Sequence, residues 1–202
     1  MMKRGRHELT PREPSVITIV SGLPRSGTSL MMQMLAAGGM TILTDGERRA
    51  DEDNPRGYYE WERAKLLPRQ PSLIAEAEGK AVKVISQLLL ALPASYRYQV
   101  IFMERPLAEI VASQAEMIRR RGTAGPTLSR EQMISALQVH RNLVMNWIRA
   151  ASNISLCTVS HHDLLGDPAG VSQTVQQFVG LPLNVAAMAA QVDPSLYRQR
   201  SM

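Results

Sequence analysis

Residues 16 to 30, VITIVSGLPRSGTSL, constrain the fold of this chain more than any other stretch. An apolar, β-branched run from Val16 to Val20 meets a Gly/Pro turn, and a helical pattern starts directly after it at Thr28. This order predicts a buried strand, a tight loop and a helix. The start of such a helix binds anions, because its first N–H groups lack intrahelical acceptors and the helix dipole favours negative charge. The stretch therefore predicts a phosphate-binding loop.

The loop departs at one position from the loops that bind nucleoside triphosphates. Those loops have Gly, four residues, and then Gly-Lys-Ser/Thr. Gly22 and Gly27 keep this spacing, but Thr28 stands where the lysine belongs, and the cation lies inside the loop at Arg25. A P-loop kinase or NTPase stays open as an alternative, which the missing lysine disfavours because that lysine reaches the β- and γ-phosphates. A Gly-rich turn without a ligand is another alternative.

Short apolar runs recur along the chain and alternate with helical patterns, which suits strands buried on both faces of a parallel sheet. The pattern predicts an α/β, three-layer P-loop fold with a central, mainly parallel sheet of about four or five strands flanked by helices. After the first strand at 16–21, further strands are predicted at 81–85, 99–104 and 155–159, and helices at 28–38, 60–67, 106–121, 129–151 and 168–179.

Length and composition suit a single domain. The chain has 202 residues, of which 45% are hydrophobic, and we expect one domain over 15–202 preceded by a flexible basic arm at 1–14. Its one cysteine, Cys157, excludes an internal disulfide, favours a reducing compartment and is expected to be buried and inert. No apolar run approaches 18 residues and no signal peptide is visible, so we expect a cytoplasmic protein without a membrane partner.

The charge balance favours an anionic ligand. The formal net charge is +5 and the isoelectric point is near 9.7. Nucleic acid is disfavoured as a partner, because aromatic residues are few and no nucleic-acid-binding motif is present. No His/Cys or carboxylate cluster demands a metal, so no metal site is predicted.

A second candidate anion site follows the third predicted strand. Arg105 precedes Pro106, a favourable first helical residue, and so lies at the edge where open α/β sheets bind ligands. Ser113 comes seven residues after Pro106, which returns to nearly the same side of a helix, roughly 10 Å along its axis. Arg105 and Ser113 are therefore predicted to share a face and to grip one phosphate.

Three segments resemble the sulfotransferases that use 3′-phosphoadenosine 5′-phosphosulfate (PAPS). The run Pro24-Arg25-Ser26-Gly27-Thr28-Ser29 is similar to the 5′-phosphosulfate loop of that family. In the family an Arg followed eight residues later by a Ser binds the 3′-phosphate, which matches Arg105 and Ser113. Residues 160–168, SHHDLLGDP, resemble the family's Tyr-Glu-Asp-Leu segment, with His161 in place of the tyrosine that approaches adenine. These matches span residues 16 to 182.

Two longer strings, LTDGERRADEDNPRGYYEWE and KAVKVISQLLLALP, resemble a bacterial branch of sulfotransferase-domain proteins. The resemblance implies transfer of a sulfuryl group from PAPS to a hydroxyl or amine of an acceptor, which is a small molecule, a saccharide or a peptide. It implies that Arg25 neutralises charge on the 5′-phosphate leaving group, and that no metal is required. Lys83 is a further candidate to face the donor. The acceptor and the oligomeric state are not predicted.

The general base is the weakest part of the resemblance. Many cytosolic relatives carry a His in a Lys-Thr-His run, whereas residues 83–86 here read Lys-Val-Ile-Ser. Other branches use a carboxylate about twenty residues after the loop arginine, where Asp45 and then Glu47 are the nearest acids. Glu60 is the other candidate base, because burial against neighbouring aromatic residues would raise its pKa toward a useful value. His140 shares a helix face with apolar residues and is expected to be a core histidine.

The chain also lacks the Arg-Lys-Gly segment with which cytosolic sulfotransferases close over the 3′-phosphate. Arg198, Arg200 or the run Arg119-Arg120-Arg121 are candidate substitutes. The missing histidine and the missing segment keep a third alternative open, a catalytically inactive scaffold that binds adenosine phosphates. The polar connection at 41–59 is unusually long, which indicates a lid or a substrate loop.

Overall fold

A computed structural model of the chain describes residues 15–48, 50–51, 54, 56–120, 122 and 128–193. Within these residues, five parallel strands form a sheet in the order β2-β3-β1-β4-β5, which confirms the predicted α/β architecture. The predicted arm at 1–14 lies outside the described residues. The strands are β1 (Ile17–Gly22), β2 (Ile42–Leu43), β3 (Ala81–Lys83), β4 (Tyr98–Glu104) and β5 (Ile154–Ser160). The helices are α1 (Thr28–Ala37), α2 (Leu107–Arg120), α3 (Arg130–Ala150), α4 (His161–Gly166), α5 (Pro168–Val179) and α6 (Val185–Ala189), with 3₁₀ helices at Glu62–Leu66, Pro71–Ala77 and Ser86–Ala91.

The central strand β1 is buried along its whole length and pairs with β3 on one side and β4 on the other. A strand covered on both faces favours the continuous β-branched run that the sequence shows there. Since every pair is parallel, the carboxyl ends of the strands meet at one edge of the sheet. Gly22 lies beside Met103 there, and Glu104 lies beside Ser160. Ligands of open α/β sheets bind at this edge.

Two apolar clusters fill the space on the two faces of the sheet. One joins the strands to α3 and the three 3₁₀ helices. The other joins them to α1, α5 and α6 and is rich in methionine, whose flexible side chains fill irregular gaps. Its buried methionines are Met31, Met32, Met34, Met40, Met103 and Met188.

Most helix boundaries follow the capping signals of the sequence. Ser129 and Gln132 form a capping box at the start of α3. The carboxylate of Asp167 accepts the N–H of Gly170 at the start of α5, and Gly180 ends that helix with a left-handed backbone. Among the described residues, no helix is both long and apolar enough to cross a membrane.

The structure adds elements that the sequence pattern did not predict. Strand β2 has two residues and lies inside the polar connection, too short for an alternating pattern to reveal. The 3₁₀ helices at 71–77 and 86–91 and the short helices α4 and α6 were likewise unpredicted. Cys157, expected to be buried, is only partly covered, and burial raises the pKa of its thiol.

Candidate active site

A cavity of about 470 Å³ opens at the carboxyl ends of β1, β3 and β4. Its walls come from the loop after β1, the first turns of α1, the middle of α2, the start of α4, part of the polar connection and residues near 191–193. Ser26 and Asp45, which the sequence also nominated, do not line it. The predicted site residues that do are Pro24, Arg25, Gly27, Thr28, Ser29, Glu60, Arg105, Ser113 and His161.

The backbone conformation around the loop after β1 requires glycine at two positions. Gly22 has a φ of 152°, and a Cβ placed there would lie 2.7 Å from the carbonyl oxygen of Met103. Gly27 has a φ of 102°, and a Cβ there would lie 2.8 Å from Cδ2 of His161. Arg25 has a φ of 72°, a left-handed conformation that is uncommon for a residue with a side chain and that clusters at ligand sites.

The first turn of α1 presents backbone donors to the cavity. The N–H of Met31 makes the first α-helical bond, to the carbonyl of Gly27 at 3.1 Å. The N–H groups of Gly27, Thr28 and Ser29 therefore precede the intrahelical ladder, and all three residues line the cavity. This is the geometry of an anion site at a helix N-terminus.

Ser26 shapes this loop instead of facing the cavity. Its residue surface is fully buried, and its N–H donates to the carbonyl of Leu23 at 3.1 Å. Its hydroxyl makes no hydrogen bond to any residue that the structure describes. Spacing alone could not distinguish this buried position from the cavity-lining positions beside it.

Arg25 links the loop to α2. Its Nε donates to the hydroxyl of Ser113 at 3.0 Å, and its carbonyl accepts from Nη1 of Arg105 at 3.3 Å. Arg105 and Ser113, which were predicted to share a face, both line the cavity, and each contacts Arg25. The structure thereby brings two guanidinium groups and a hydroxyl to the same wall.

A buried carboxylate that the sequence interpretation missed holds Arg105. Glu109 follows Arg105 by four residues, and its Oε2 accepts from Arg105 Nε at 2.9 Å. The other oxygen, Oε1, lies 3.0 Å from Nε2 of His162. The Glu109 side chain is only 2% exposed, so this contact fixes a charged pair away from solvent. The i,i+4 spacing of opposite charges was the available signal.

His161 begins α4 directly after β5 and is buried against Gly27. Burial lowers the pKa of His161 to about 4, with smaller contributions from the charges of Arg105 and His162. The imidazole is therefore neutral at pH 7, and a neutral ring offers both a donor and an acceptor nitrogen.

Lys83 connects β3 to the other end of the cavity. Its Nζ donates to the hydroxyl of Ser29 at 3.2 Å, to the carbonyl of Tyr58 at 3.1 Å and to Oε1 of Glu60 at 3.4 Å. Burial lowers the pKa of Lys83, and the charge of Glu60 opposes this effect. A buried ammonium and a carboxylate thus stand beside the anion-binding turn.

Arg48 holds the same carboxylate from the solvent side. Its Nη1 lies 2.9 Å from Oε1 of Glu60, and its guanidinium carbon lies 3.4 Å from the centre of the Tyr58 ring. The Tyr58 hydroxyl donates to Asp51 at 2.7 Å, and burial followed by this hydrogen bond raises the pKa of Tyr58. The sequence interpretation did not identify Arg48, because its partners are distant along the chain.

The carboxylate of Asp45 is engaged elsewhere. It accepts the backbone N–H groups of Glu47 at 3.2 Å and of Glu62 at the start of a 3₁₀ helix. Of the two principal candidate bases, Glu60 is therefore the one at the cavity. His140 lies away from the cavity, where its Nε2 is 3.0 Å from the Ser86 hydroxyl. It has the structural partner that was expected, but it is half-buried and not in the core.

The polar connection reaches across to the last described residues. Arg56 donates from Nη1 to the carbonyl of Gln191 at 2.6 Å, and its Nη2 lies 3.3 Å from Asp193.

Of the candidate substitutes for the closing segment, Arg120 lines the cavity and pairs with Glu116. Arg119 pairs with the same carboxylate, whereas Arg121, Arg198 and Arg200 lie outside the described residues. In the described part of the chain, no group of three or more His, Cys, Asp or Glu side chains forms a metal cluster.

Neither a protein-family model nor a curated protein matches the chain. Solved structures do match. Sulfotransferase STF1 from Mycobacterium tuberculosis aligns with a TM-score of 0.57 and 20% sequence identity, over 88% of this chain and 71% of that one. The chain has the sulfotransferase fold. This similarity and the parallel sheet confirm the predicted α/β P-loop fold class.

Two further solved sulfotransferase structures are similar to all or most of the chain. The sulfotransferase domain of a Synechococcus olefin synthase has a TM-score of 0.53 at 13% identity, covering 100% of this chain and 82% of that one. A sulfotransferase from Alicyclobacillus acidocaldarius has a TM-score of 0.50 at 12% identity, covering 89% and 87%. On this shared fold, the cavity combines backbone and arginine donors for anions with a carboxylate that can accept a proton.

Proposed function

We propose that the protein is a PAPS-dependent sulfotransferase that transfers a sulfuryl group to a hydroxyl or amine. The proposal rests on the set of residues that line one cavity. It joins an anion-binding turn, the linked pair Arg25 and Arg105, and the carboxylate of Glu60 beside Lys83. The sulfotransferase fold and the resemblance of the loop support the same activity.

The residues fit a donor with phosphate groups at two positions. Gly22 and Gly27 line the cavity without side chains, so the loop backbone can approach the 5′-phosphosulfate closely. The N–H groups of the first α1 turn and the guanidinium of Arg25 would hold this group. Arg105 and Ser113 would bind the 3′-phosphate. Arg25 contacts both residues and so links this second anion position to the loop.

Sulfuryl transfer resembles phosphoryl transfer, in which charge spreads over peripheral oxygens during an in-line displacement. Catalysis then depends on positioning and on fixed positive charge. Arg25 and Lys83 supply two such charges, and the contact between Lys83 and Ser29 places the ammonium at the loop. Both are fixed by existing contacts, which reduces the reorganisation needed during the reaction.

Glu60 is the proposed general base. Among the residues that the structure describes, Arg48 and Lys83 contact this carboxylate, both at Oε1, so Oε2 can accept the proton of the attacking hydroxyl or amine. The same contacts also suit a rival function, an adenosine-phosphate-binding scaffold without turnover, in which Glu60 holds Arg48 and Lys83 in place and takes no proton.

Calorimetric titration with adenosine 3′,5′-bisphosphate and ATP tests the donor assignment. Arg105→Ala should weaken bisphosphate binding by roughly 10- to 150-fold, because a charge-assisted phosphate contact contributes about 1.5–3 kcal/mol. Arg149→Ala is the matched control, since Arg149 is exposed on α3 and does not line the cavity. If ATP binds better than the bisphosphate, the kinase or NTPase alternative replaces this proposal. If Arg105→Ala and Arg149→Ala behave alike, the 3′-phosphate assignment is wrong.

A further inference from the structure

Glu109 is the one buried acidic residue in the described part of the chain, and no part of the proposed mechanism uses it. Its side chain does not line the cavity. Removing a carboxylate from water costs free energy, so a buried one needs close hydrogen-bonding partners. Glu109 has such partners on both oxygens, Arg105 at Oε2 and His162 at Oε1. The contact with Arg105 joins the carboxylate to the proposed 3′-phosphate site.

This contact constrains the guanidinium of Arg105. Glu109 accepts from its Nε at 2.9 Å, while its Nη1 donates to the carbonyl of Arg25 at 3.3 Å. Two contacts at different nitrogens of a planar group fix its orientation as well as its position. Since Arg105 lines the cavity, this orientation is set before a ligand binds.

The carboxylate of Glu109 is itself held in place. Glu109 lies on α2, and Nε2 of His162, the second residue of α4, lies 3.0 Å from its Oε1. Helix α4 directly follows β5, and Arg105 directly follows β4, the neighbour of β5 in the sheet. The carboxylate therefore connects the ends of two adjacent strands and holds the arginine against this rigid base.

We propose that Glu109 is a positioning residue for the donor, which orients the Arg105 guanidinium toward the 3′-phosphate. This inference rests on the proposed function, which places that phosphate at Arg105. A long side chain loses rotational freedom when it binds a ligand, and this loss lowers the affinity. The contact with Glu109 imposes the loss during folding instead. The charge of Glu109 acts in the opposite direction, because it repels the phosphate, so a correctly placed acceptor atom is what the site needs.

The test compares two ligands that differ only in the 3′-phosphate. Adenosine 3′,5′-bisphosphate and adenosine 5′-phosphate are titrated by calorimetry, and the ratio of their dissociation constants gives the preference for the 3′-phosphate. A partly unfolded sample does not change this ratio, because both affinities fall by the same factor. Wild type should prefer the bisphosphate by roughly 10- to 150-fold, as expected of a charge-assisted contact.

Three substitutions of Glu109 separate length, charge and acceptor. Glu109→Met keeps the length without an acceptor for Nε, and Glu109→Asp keeps the charge but is one methylene shorter. Each should reduce the preference by roughly 3- to 10-fold, the effect of ordering one long side chain on binding. Glu109→Gln keeps the length and an acceptor oxygen, so its preference should equal or exceed that of wild type. Glu76→Met, which removes the partner of Arg63 away from the cavity, should match wild type.

A double-mutant cycle shows whether Glu109 acts through Arg105. In the Arg105→Ala background, Glu109→Met should reduce the preference no further, whereas an effect independent of Arg105 would persist and would overturn the inference. A wild-type preference in both Glu109→Met and Glu109→Asp would also overturn it, and if Glu109→Met does not fold, Glu109→Asp alone decides. A loss in Glu109→Gln as large as that in Glu109→Asp would contradict the role of the acceptor atom. If wild type does not prefer the bisphosphate, the proposed function fails; if wild type and all variants prefer it equally, only the role of Glu109 fails.

Discussion

His161 makes the stability of the protein depend on pH in a calculable way. An unfolded histidine has a pKa of 6.5, and folding lowers the pKa of His161 to about 4 through burial and the nearby charges of Arg105 and His162. Glu109 acts in the opposite direction and is the smallest contribution. Between the two pKa values the unfolded chain binds the proton that the folded chain excludes, so stability rises with pH across this window.

The magnitude follows from the two pKa values. His161 is only 8% exposed, so solvent screening is limited. At 1.36 kcal/mol per unit, the whole shift corresponds to roughly 3 kcal/mol, of which about 2 kcal/mol is lost between pH 7 and pH 5. The remainder is lost as pH falls toward 4, and essentially none is lost between pH 8 and pH 7.

Urea unfolding of wild type and His161→Asn measures this effect without ligand. From pH 7 to pH 5 the wild type should lose about 2 kcal/mol more than the variant, because asparagine does not titrate. From pH 8 to pH 7 the difference between the two proteins should stay constant, which is the internal control. Equal losses in both proteins from pH 7 to pH 5 would refute the argument that burial at the cavity keeps His161 neutral.

Two further predictions concern the base and the loop. Glu60→Gln should lower turnover by about 10²- to 10⁴-fold while donor affinity changes little, whereas Asp45→Asn, away from the cavity, should retain turnover; equal effects in a steady-state assay would contradict the assignment of Glu60. Gly27→Ala should destabilise the fold by about 1–3 kcal/mol in chemical denaturation, because its φ is 102° and a Cβ would lie 2.8 Å from His161. Gly166→Ala, with open space around its Cβ, should be neutral or slightly stabilising. A neutral Gly27→Ala would show that the loop tolerates a side chain.

The fold could be predicted because its signals are local. Strands β1 and β4 are buried apolar runs. The caps at Ser129, Asp167 and Gly180 bound α3 and α5 close to the limits predicted for these helices, 129–151 and 168–179. Strand β2 was missed because two residues carry no periodicity, and its place in the sheet depends on pairing with β3.

The candidate site was predictable only where its residues are close in sequence. The loop after β1 and the spacing of Arg105 and Ser113 are such cases, and the structure brings both to the cavity. Ser26 and Asp45 could not be placed from the sequence, because burial and capping depend on tertiary contacts. Arg48 was missed for the same reason, because its contacts with Glu60 and Tyr58 exist only in the folded chain.

A crystal structure with bound adenosine 3′,5′-bisphosphate tests the central claim most directly. The account predicts the 5′-phosphate at the N–H groups of Gly27, Thr28 and Ser29, and the 3′-phosphate in contact with Arg105 and Ser113. A bisphosphate bound in the opposite orientation, or outside this cavity, would contradict the claim that the cavity is the donor site of a sulfotransferase.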